Sequence, residues 1–252
     1  MYRSTVITSM LIPQSDGHMT RPIGEYLSHF KHLVATGLPI ILYVAPSLVE
    51  EVRAPNVTVV PTTLEDLPLW RAIQGMELRL PAIRDPVKDT ADYLALVNSK
   101  TELMRRTIDM VGADATHAFV DFGIFHFIRD KQRGEHRLRA LRATSVELVT
   151  LPGITRDFLD TMDRVDWRFC GSLFYGPTAA MRTFAEVHQE RAQVLLPTLT
   201  WEVNVWAWME RHGELDCRWY QAGHNDSIVD FPAISPGRHR LPQEGEPQPT
   251  VQ

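Results

Sequence analysis

Three charged residues of this 252-residue chain stand where charge needs an explanation. Asp121 follows the apolar run His117-Ala118-Phe119-Val120 and precedes Phe122-Gly123, so a strand-like segment delivers a single carboxylate directly into a glycine. A carboxylate at such a strand end suits a metal or a phosphate-bearing ligand, and Gly123 admits close approach or a positive φ; the same residue type also caps turns. Lys100 shares a helical stripe with Val97 and Met104, so its ammonium starts from a mostly buried face and needs an anion. That anion is either a diphosphate or, by snorkelling, a surface carboxylate. Glu202 lies among Trp201, Trp206 and Trp208, apolar surfaces that raise a carboxylate pKa and stack on sugar faces. An acid in a first helical turn also complements the helix dipole without any catalytic duty.

Further polar residues sit in apolar or aromatic settings: Asn98, the Gly171-Ser172 pair, Asn204 and the late triplet His224-Asn225-Asp226. Dinucleotide-binding glycine fingerprints, the phosphate-loop lysine, the serine elbow and the paired-histidine zinc helix are all absent, which removes several large enzyme classes. Cys170 and Cys217 are the only cysteines, too few and too far apart for a disulfide scaffold or structural zinc site. Cys170 reads as a small buried hydrophobe.

The elements that must position these residues alternate between the two secondary-structure periods. Residues 4 to 12, 39 to 45 and 56 to 61 are β-branched runs that read as strands. Ile23, Tyr26, Leu27, Phe30, Leu33 and Val34 recur at helical spacing behind Arg21-Pro22 and stop at Gly37, giving a β-α-β unit with the usual right-handed crossover. A helix over 92 to 111, ending at Gly112, feeds the Asp121 strand. Another strand is expected over 167 to 175, and helices over 178 to 195 and 200 to 212. Residues 64 to 86 give no assignment beyond short helix and loop. This pattern predicts a single α/β domain over residues 1 to 234, with a mostly parallel central sheet flanked by helices and later strands as antiparallel additions. The tail from 235 to 252, rich in Pro, Gly, Gln and Glu, reads as flexible.

A net charge of −5 provides no long-range attraction for nucleic acid or an anionic membrane. The basic stretch Arg129 to Arg142 reads either as a solvated helix face or as a phosphate-facing patch. No segment approaches membrane-spanning length and no charged leader opens the chain, so the expectation is a cytoplasmic protein in a reducing compartment.

One order of motifs runs through residues 4 to 230. Thr5-Val-Ile-Thr-Ser9 forms a strand, Asn98-x-Lys100 lies on a helix, and Val120-Asp-Phe-Gly-Ile124 ends a strand. Cys170-Gly-Ser-Leu-Phe-Tyr-Gly176, a helix with Glu202, Trp219-Tyr220 and His224-Asn-Asp226 follow. This order resembles the GT-A-type glycosyltransferases of bacterial surface-glycan synthesis, in particular the lipopolysaccharide-biosynthesis family with a Trp-Ile-Asp-x-Gly strand after an Asn/Trp-x-Lys helix. The resemblance implies a GT-A-like, Rossmann-type domain with a nucleotide-sugar donor across the ends of the first strands. It places Thr8, Ser9, Arg21, Asn98, Lys100, Asp121 and Gly123 on the donor side and Gly171, Ser172 and Trp201 on the acceptor side. It makes Asp121 the metal acid, with His224 or Asp226 completing the shell of a Mn²⁺ or Mg²⁺ ion. The second acid of the family's Asp-x-Asp element is Gly123 here, so metal independence stays open. Glu202 would be the acceptor-side base and Asp121 the other catalytic carboxylate.

The expected partners are thus a nucleotide sugar and a hydroxyl-bearing acceptor, either a glycan or a small molecule. Two alternatives stand beside this reading: a transferase acting on hydroxymethylated bases in DNA, favoured by the basic stretch and opposed by the acidic total, and a degenerate transferase fold serving as a binding module.

Overall fold

The computed structural model describes residues 4–112, 115–143, 147–155 and 161–231. In chain order, β1 (Ser4–Leu11), α1 (Ile23–Ala35), β2 (Ile40–Val44) and β3 (Val57–Pro61) form the first βαβ unit and its extension. The helices α2 (Pro68–Ile73), α3 (Ala91–Asn98) and α4 (Lys100–Val111) lead to β4 (Ala115–Val120). Then come α5 (Lys131–Arg139), β5 (Val149–Gly153), β6 (Leu173–Pro177), α6 (Thr178–Val194), α7 (Glu202–Arg211) and β7 (Cys217–Gln221). The flexible tail expected from 235 onward lies outside the described residues.

The seven strands make one sheet in the order β3-β2-β1-β4-β6-β5-β7. β3, β2, β1 and β4 are mutually parallel, β6 runs antiparallel to both β4 and β5, and β7 is parallel to β5. The domain is therefore α/β with a mostly parallel central sheet flanked by helices. The chain leaves β1 for β2 on one side and returns to β4 on the other, which opens a topological switch at the carboxyl ends of β1 and β4, where open α/β sheets bind ligands.

Both faces of this sheet are covered, and the strands read accordingly as almost continuous apolar runs. Ile40, Leu42 and Val44 pack with Phe30 and Leu33 of α1 and Leu138 of α5 on one face. Ile41 and Tyr43 face the opposite way with Leu103 of α4, and Phe119 of β4 joins Met104, Phe174 and Phe184 there. The far half of the sheet carries a buried ion pair. Arg168 grips both carboxylate oxygens of Glu210 at 2.7 Å, donates to the Thr155 carbonyl and lies between the Phe169 and Trp219 rings.

Four elements differ from the sequence expectation. The helix expected over 92 to 111 is two helices, because Ser99 turns the backbone and its hydroxyl donates to the Ala95 carbonyl, while the Asn98 amide donates to the Leu94 and Thr200 carbonyls. The strand expected over 167 to 175 is displaced to Leu173–Pro177, since residues before it turn to feed the site. β5 and β7 had no expectation, because Pro152, Arg218 and Gln221 break their apolar patterns.

The basic stretch is α5 and its flanks, and three of its arginines serve the fold. Arg133 pairs with Asp230, Arg137 donates to the Val229 and Phe231 carbonyls, and Arg139 to those of Ala35 and Thr36. Among the described residues, no helix is long and apolar enough to cross a membrane.

Two buried histidines set an acid limit on this core. Burial lowers the pKa of His188 to about 3, and burial with Arg182 nearby lowers that of His117 to about 4. Neither imidazole protonates in the folded state until well below 6.5, whereas both do so near 6.5 once unfolded. Stability is therefore unaffected above pH 6.5 and falls as pH drops through the interval below it, by roughly 2 kcal/mol per histidine at pH 5. Neither ring nitrogen of His117 has a hydrogen-bond partner among the described residues. His117→Leu should consequently flatten the decline in urea-unfolding free energy between pH 6.5 and 5; an unchanged slope would refute this assignment.

Candidate functional site

Lys100 opens α4 directly after the Ser99 break, and its side chain runs inward to the end of β4. The ammonium donates to the Gly171 carbonyl at 2.9 Å and to Glu202 Oε1 at 2.7 Å, and lies 3.3 Å from Asp121 Oδ1. Burial opposes the charge, but Asp121 and Glu202 outweigh it and hold the pKa above the usual lysine range. An ammonium has three N–H donors; two go to Gly171 and Glu202, and Asp121 is held by charge at 3.3 Å. Lys100 is thus a charged strut between two carboxylates at the wall of the cleft. Besides the donor-phosphate contact expected of it, Lys100 has this internal role.

The carboxylates reach the strut from different elements. Asp121 follows β4 where its N–H donates to the Ser172 carbonyl, and its own carbonyl accepts from Ile124 to close the turn. Glu202 is the first residue of α7. Their side chains differ in access: Asp121 is 30 % exposed, whereas Glu202 is 6 % exposed. Gly171 lets Glu202 come this close, since a Cβ at that position would stand 2.3 Å from Glu202 Oε1.

The three residues lie against a cleft of about 340 Å³. The end of β1 from Met10 through Ile12, the Asp121–Gly123 turn, Gly171, Ser172, Trp201, Glu202 and His224 line it, with Arg21, Tyr26, Lys88 and Trp167 around it. It opens at the carboxyl ends of β1 and β4, the switch point of the sheet. Nine expected site residues therefore converge on one cleft: Arg21, Lys100, Asp121, Gly123, Gly171, Ser172, Trp201, Glu202 and His224.

Four others do not line it. Thr8 and Ser9 are buried inside β1, which continues to Leu11; the Thr8 hydroxyl donates to the Met104 sulfur. Asn98 is occupied in tying α3 to the Thr200 carbonyl. Asp226 accepts from the backbone N–H groups of Arg129 at 2.6 Å and Asp130 at 3.3 Å, so it fixes a turn. Gly123 has φ −97°, not a positive value, and its missing Cβ leaves room for the Tyr26 ring, whose Cε1 would be 3.2 Å away. Of the three clustered tryptophans only Trp201 reaches the cleft, donating to Asp89 at 3.3 Å. Trp206 is core, and Trp208 stacks on His212 at 3.9 Å.

His224 packs edge-on against Trp167 at 4.6 Å and beside Phe127 at 5.3 Å. Burial lowers its pKa, with Asp121 opposing and Lys88 assisting, so the imidazole is neutral near pH 7. Lys88, Tyr93 and Trp167 are cleft residues that the sequence reading missed. Lys88 sits beside the Asp89-Thr90 helix start, the one local signal available; Tyr93 and Trp167 are indistinguishable by pattern from core aromatics. Burial, reinforced by Glu202, raises the Tyr93 pKa and keeps its hydroxyl protonated.

Of the two residues expected to complete a Mn²⁺ or Mg²⁺ shell around Asp121, His224 lines the cleft with it and Asp226 does not. Asp226 is committed to backbone N–H groups, and the nearest second carboxylate to Asp121, Glu202, is held by the Lys100 ammonium. A hard divalent ion here would draw on Asp121, with donor phosphate oxygens and water supplying the rest of its shell. Among the described residues, the one group of three metal-ligating side chains whose ligand atoms converge is Glu25, His29 and His126.

No protein-family model and no curated protein matches the chain. Several solved structures are similar in arrangement. One is a CMP:2-keto-3-deoxy-manno-octonic acid synthetase complexed with CTP, at 10% identity over 87% of this chain and 90% of that one, with a TM-score of 0.45. A 4-diphosphocytidyl-2C-methyl-D-erythritol synthase from Anaerococcus prevotii DSM 20548 is 8% identical over 92% and 94% of the two chains, with a TM-score of 0.43. A manganese complex of Rv0371C from Mycobacterium tuberculosis H37Rv is 12% identical over 87% and 89%, with a TM-score of 0.41.

Removing one member of the buried ionic group strands the others. Lys100→Met should lower the urea-unfolding free energy by about 3 to 5 kcal/mol, because two carboxylates lose their counter-ion. Adding Glu202→Gln to Lys100→Met should recover part of that loss in a double-mutant cycle. A Lys100→Met variant as stable as the parent would show that the group does not hold the site together.

Proposed function

We propose that this chain is a nucleotide-sugar-dependent glycosyltransferase that moves a sugar to a hydroxyl acceptor, a glycan or small molecule. The observation that carries the reading is the pair of carboxylates fixed by Lys100 on a cleft at the β1/β4 switch point. Arg21 and Lys88 are the cleft cations whose side chains are partly exposed, and they are the groups assigned to the donor diphosphate. The sugar then extends toward Asp121. In a direct displacement the acceptor oxygen bonds to the anomeric carbon while the bond to the diphosphate breaks. The electron pair leaves on the nucleoside diphosphate, and the acceptor proton passes to the Asp121 carboxylate.

Asp121 takes the base role because its carboxylate is the more exposed of the two. Glu202 then acts as the anchor that keeps Lys100, and through it Asp121, in place. The step as written is carried by the protein's own side chains. The rings of Trp167, Phe127 and His224 form an aromatic wall suited to stacking against an acceptor sugar. Several arginines of the 129 to 142 stretch are tied to carbonyls and Asp230, which weighs against an acceptor in DNA.

A thermal-shift panel of nucleoside diphosphates, nucleotide sugars and nucleoside triphosphates tests the reading, on the parent, Arg21→Ala and Asp121→Asn. A ligand that binds only the folded state raises the midpoint by mass action. The expected result is a shift for one nucleotide sugar, weakened by Arg21→Ala and retained in Asp121→Asn. Nucleoside diphosphate release with acceptor should fall by roughly a hundredfold or more in Asp121→Asn. Response to triphosphates alone would redirect the assignment to nucleotidyl transfer, and no response to any nucleotide would leave the binding-module reading.

A further inference from the structure

We propose that Glu25, His29 and His126 form a binding site for a zinc-type transition-metal ion, separate from the Lys100 cluster. Glu25 and His29 are one turn apart on α1, so their side chains share a face. His126 closes the short helical turn that follows Gly123 and faces them. Glu25 Oε1 lies 3.5 Å from His126 Nδ1 and 3.8 Å from His29 Nε2, and one ligand atom from each residue falls within 4.8 Å of the others. Zinc bonds of about 2.0 to 2.1 Å in tetrahedral geometry place ligand atoms about 3.4 Å apart. Small side-chain adjustments therefore complete three corners of a tetrahedron.

The donor set selects the class of ion. Two imidazoles and one carboxylate suit Zn²⁺ and its neighbours in the first transition row, whereas Mg²⁺ and Ca²⁺ prefer shells of oxygen. Glu25 and His126 are about two-fifths exposed, so the remaining coordination position is reached by solvent. Lys131 is the nearby cation that would face a bound ion. The Lys131 ammonium is itself engaged by the Phe125 and Ile128 carbonyls. One local competitor must yield: Arg21 Nε lies 3.3 Å from Glu25 Oε1. An ion here joins α1 to the turn that carries Asp121, and it takes from Arg21 the carboxylate that now holds it.

Calorimetric titration with Zn²⁺, a thermal-shift series with Zn²⁺ and Mg²⁺, and the visible spectrum of the Co²⁺-loaded protein decide the matter. The proteins are the parent, His29→Gln, His126→Gln and the cleft variants Asp121→Asn and His224→Gln. The expected result is one-to-one Zn²⁺ binding, a rise in midpoint with Zn²⁺ but not Mg²⁺, and a tetrahedral Co²⁺ spectrum. Each of His29→Gln and His126→Gln should lose roughly tenfold or more in affinity, with both cleft variants unchanged. No saturable binding by the parent, or binding kept in both histidine variants, or binding lost in His224→Gln, overturns the site. None of these readouts depends on glycosyl transfer, so failure here and failure of the proposed activity are separable.

Discussion

A single ammonium organises the centre of this molecule. Lys100 joins three chain segments that are remote in sequence: the turn after β4, the approach to β6 and the first turn of α7. Taking one charge out of water is costly, and taking three is costlier unless they satisfy one another. Here the amine meets two carboxylates and one carbonyl, so each segment is held by a group it cannot abandon cheaply. The same arrangement leaves Asp121 with one side toward the cleft and its partner Glu202 almost enclosed. A structural constraint thereby divides two chemically identical groups into one that reaches solvent and one that does not.

The sheet places these segments together. β6 enters antiparallel beside β4, so the start of β6 lies next to the end of β4, and Asp121 and Ser172 meet by a backbone hydrogen bond. An all-parallel sheet would put the start of that strand at the opposite edge. On the outer side, Arg168 and Glu210 link the approach to β6 with α7, so the helix bearing Glu202 at its start is also tied down near its end. The site is held from both directions along one helix.

Much of this was legible in the sequence, for identifiable reasons. β1, β2 and α1 announce themselves because both faces of the strands are buried and because Pro22 and Gly37 bracket the helix. Asp121 stood out since a lone acid at the end of a buried run has few roles. Thr8 and Ser9 were misplaced because the resemblance set them at the strand end, although the strand was read through residue 12, and a shift of two residues separates the sheet interior from the cleft. The Ser99 break had no glycine or proline to betray it; it depends on Asn98 finding the Thr200 carbonyl, a contact between distant segments. The strut role of Lys100 was hidden for the same reason, since its partners are scattered along the chain. A buried lysine predicts an anion but does not say whether that anion is a ligand or the protein itself.

Gly171 carries an implication for how such a chain can change over generations. The space its side chain would fill already belongs to the Glu202 carboxylate. A mutation to any larger residue at 171 forces the Glu202 carboxylate aside and away from the Lys100 ammonium. Shortening or losing that acid, in turn, releases Lys100 from its firmest partner. The two positions therefore share one mutational fate, and in a lineage of descendants the glycine and the glutamate should be inherited, or surrendered, together.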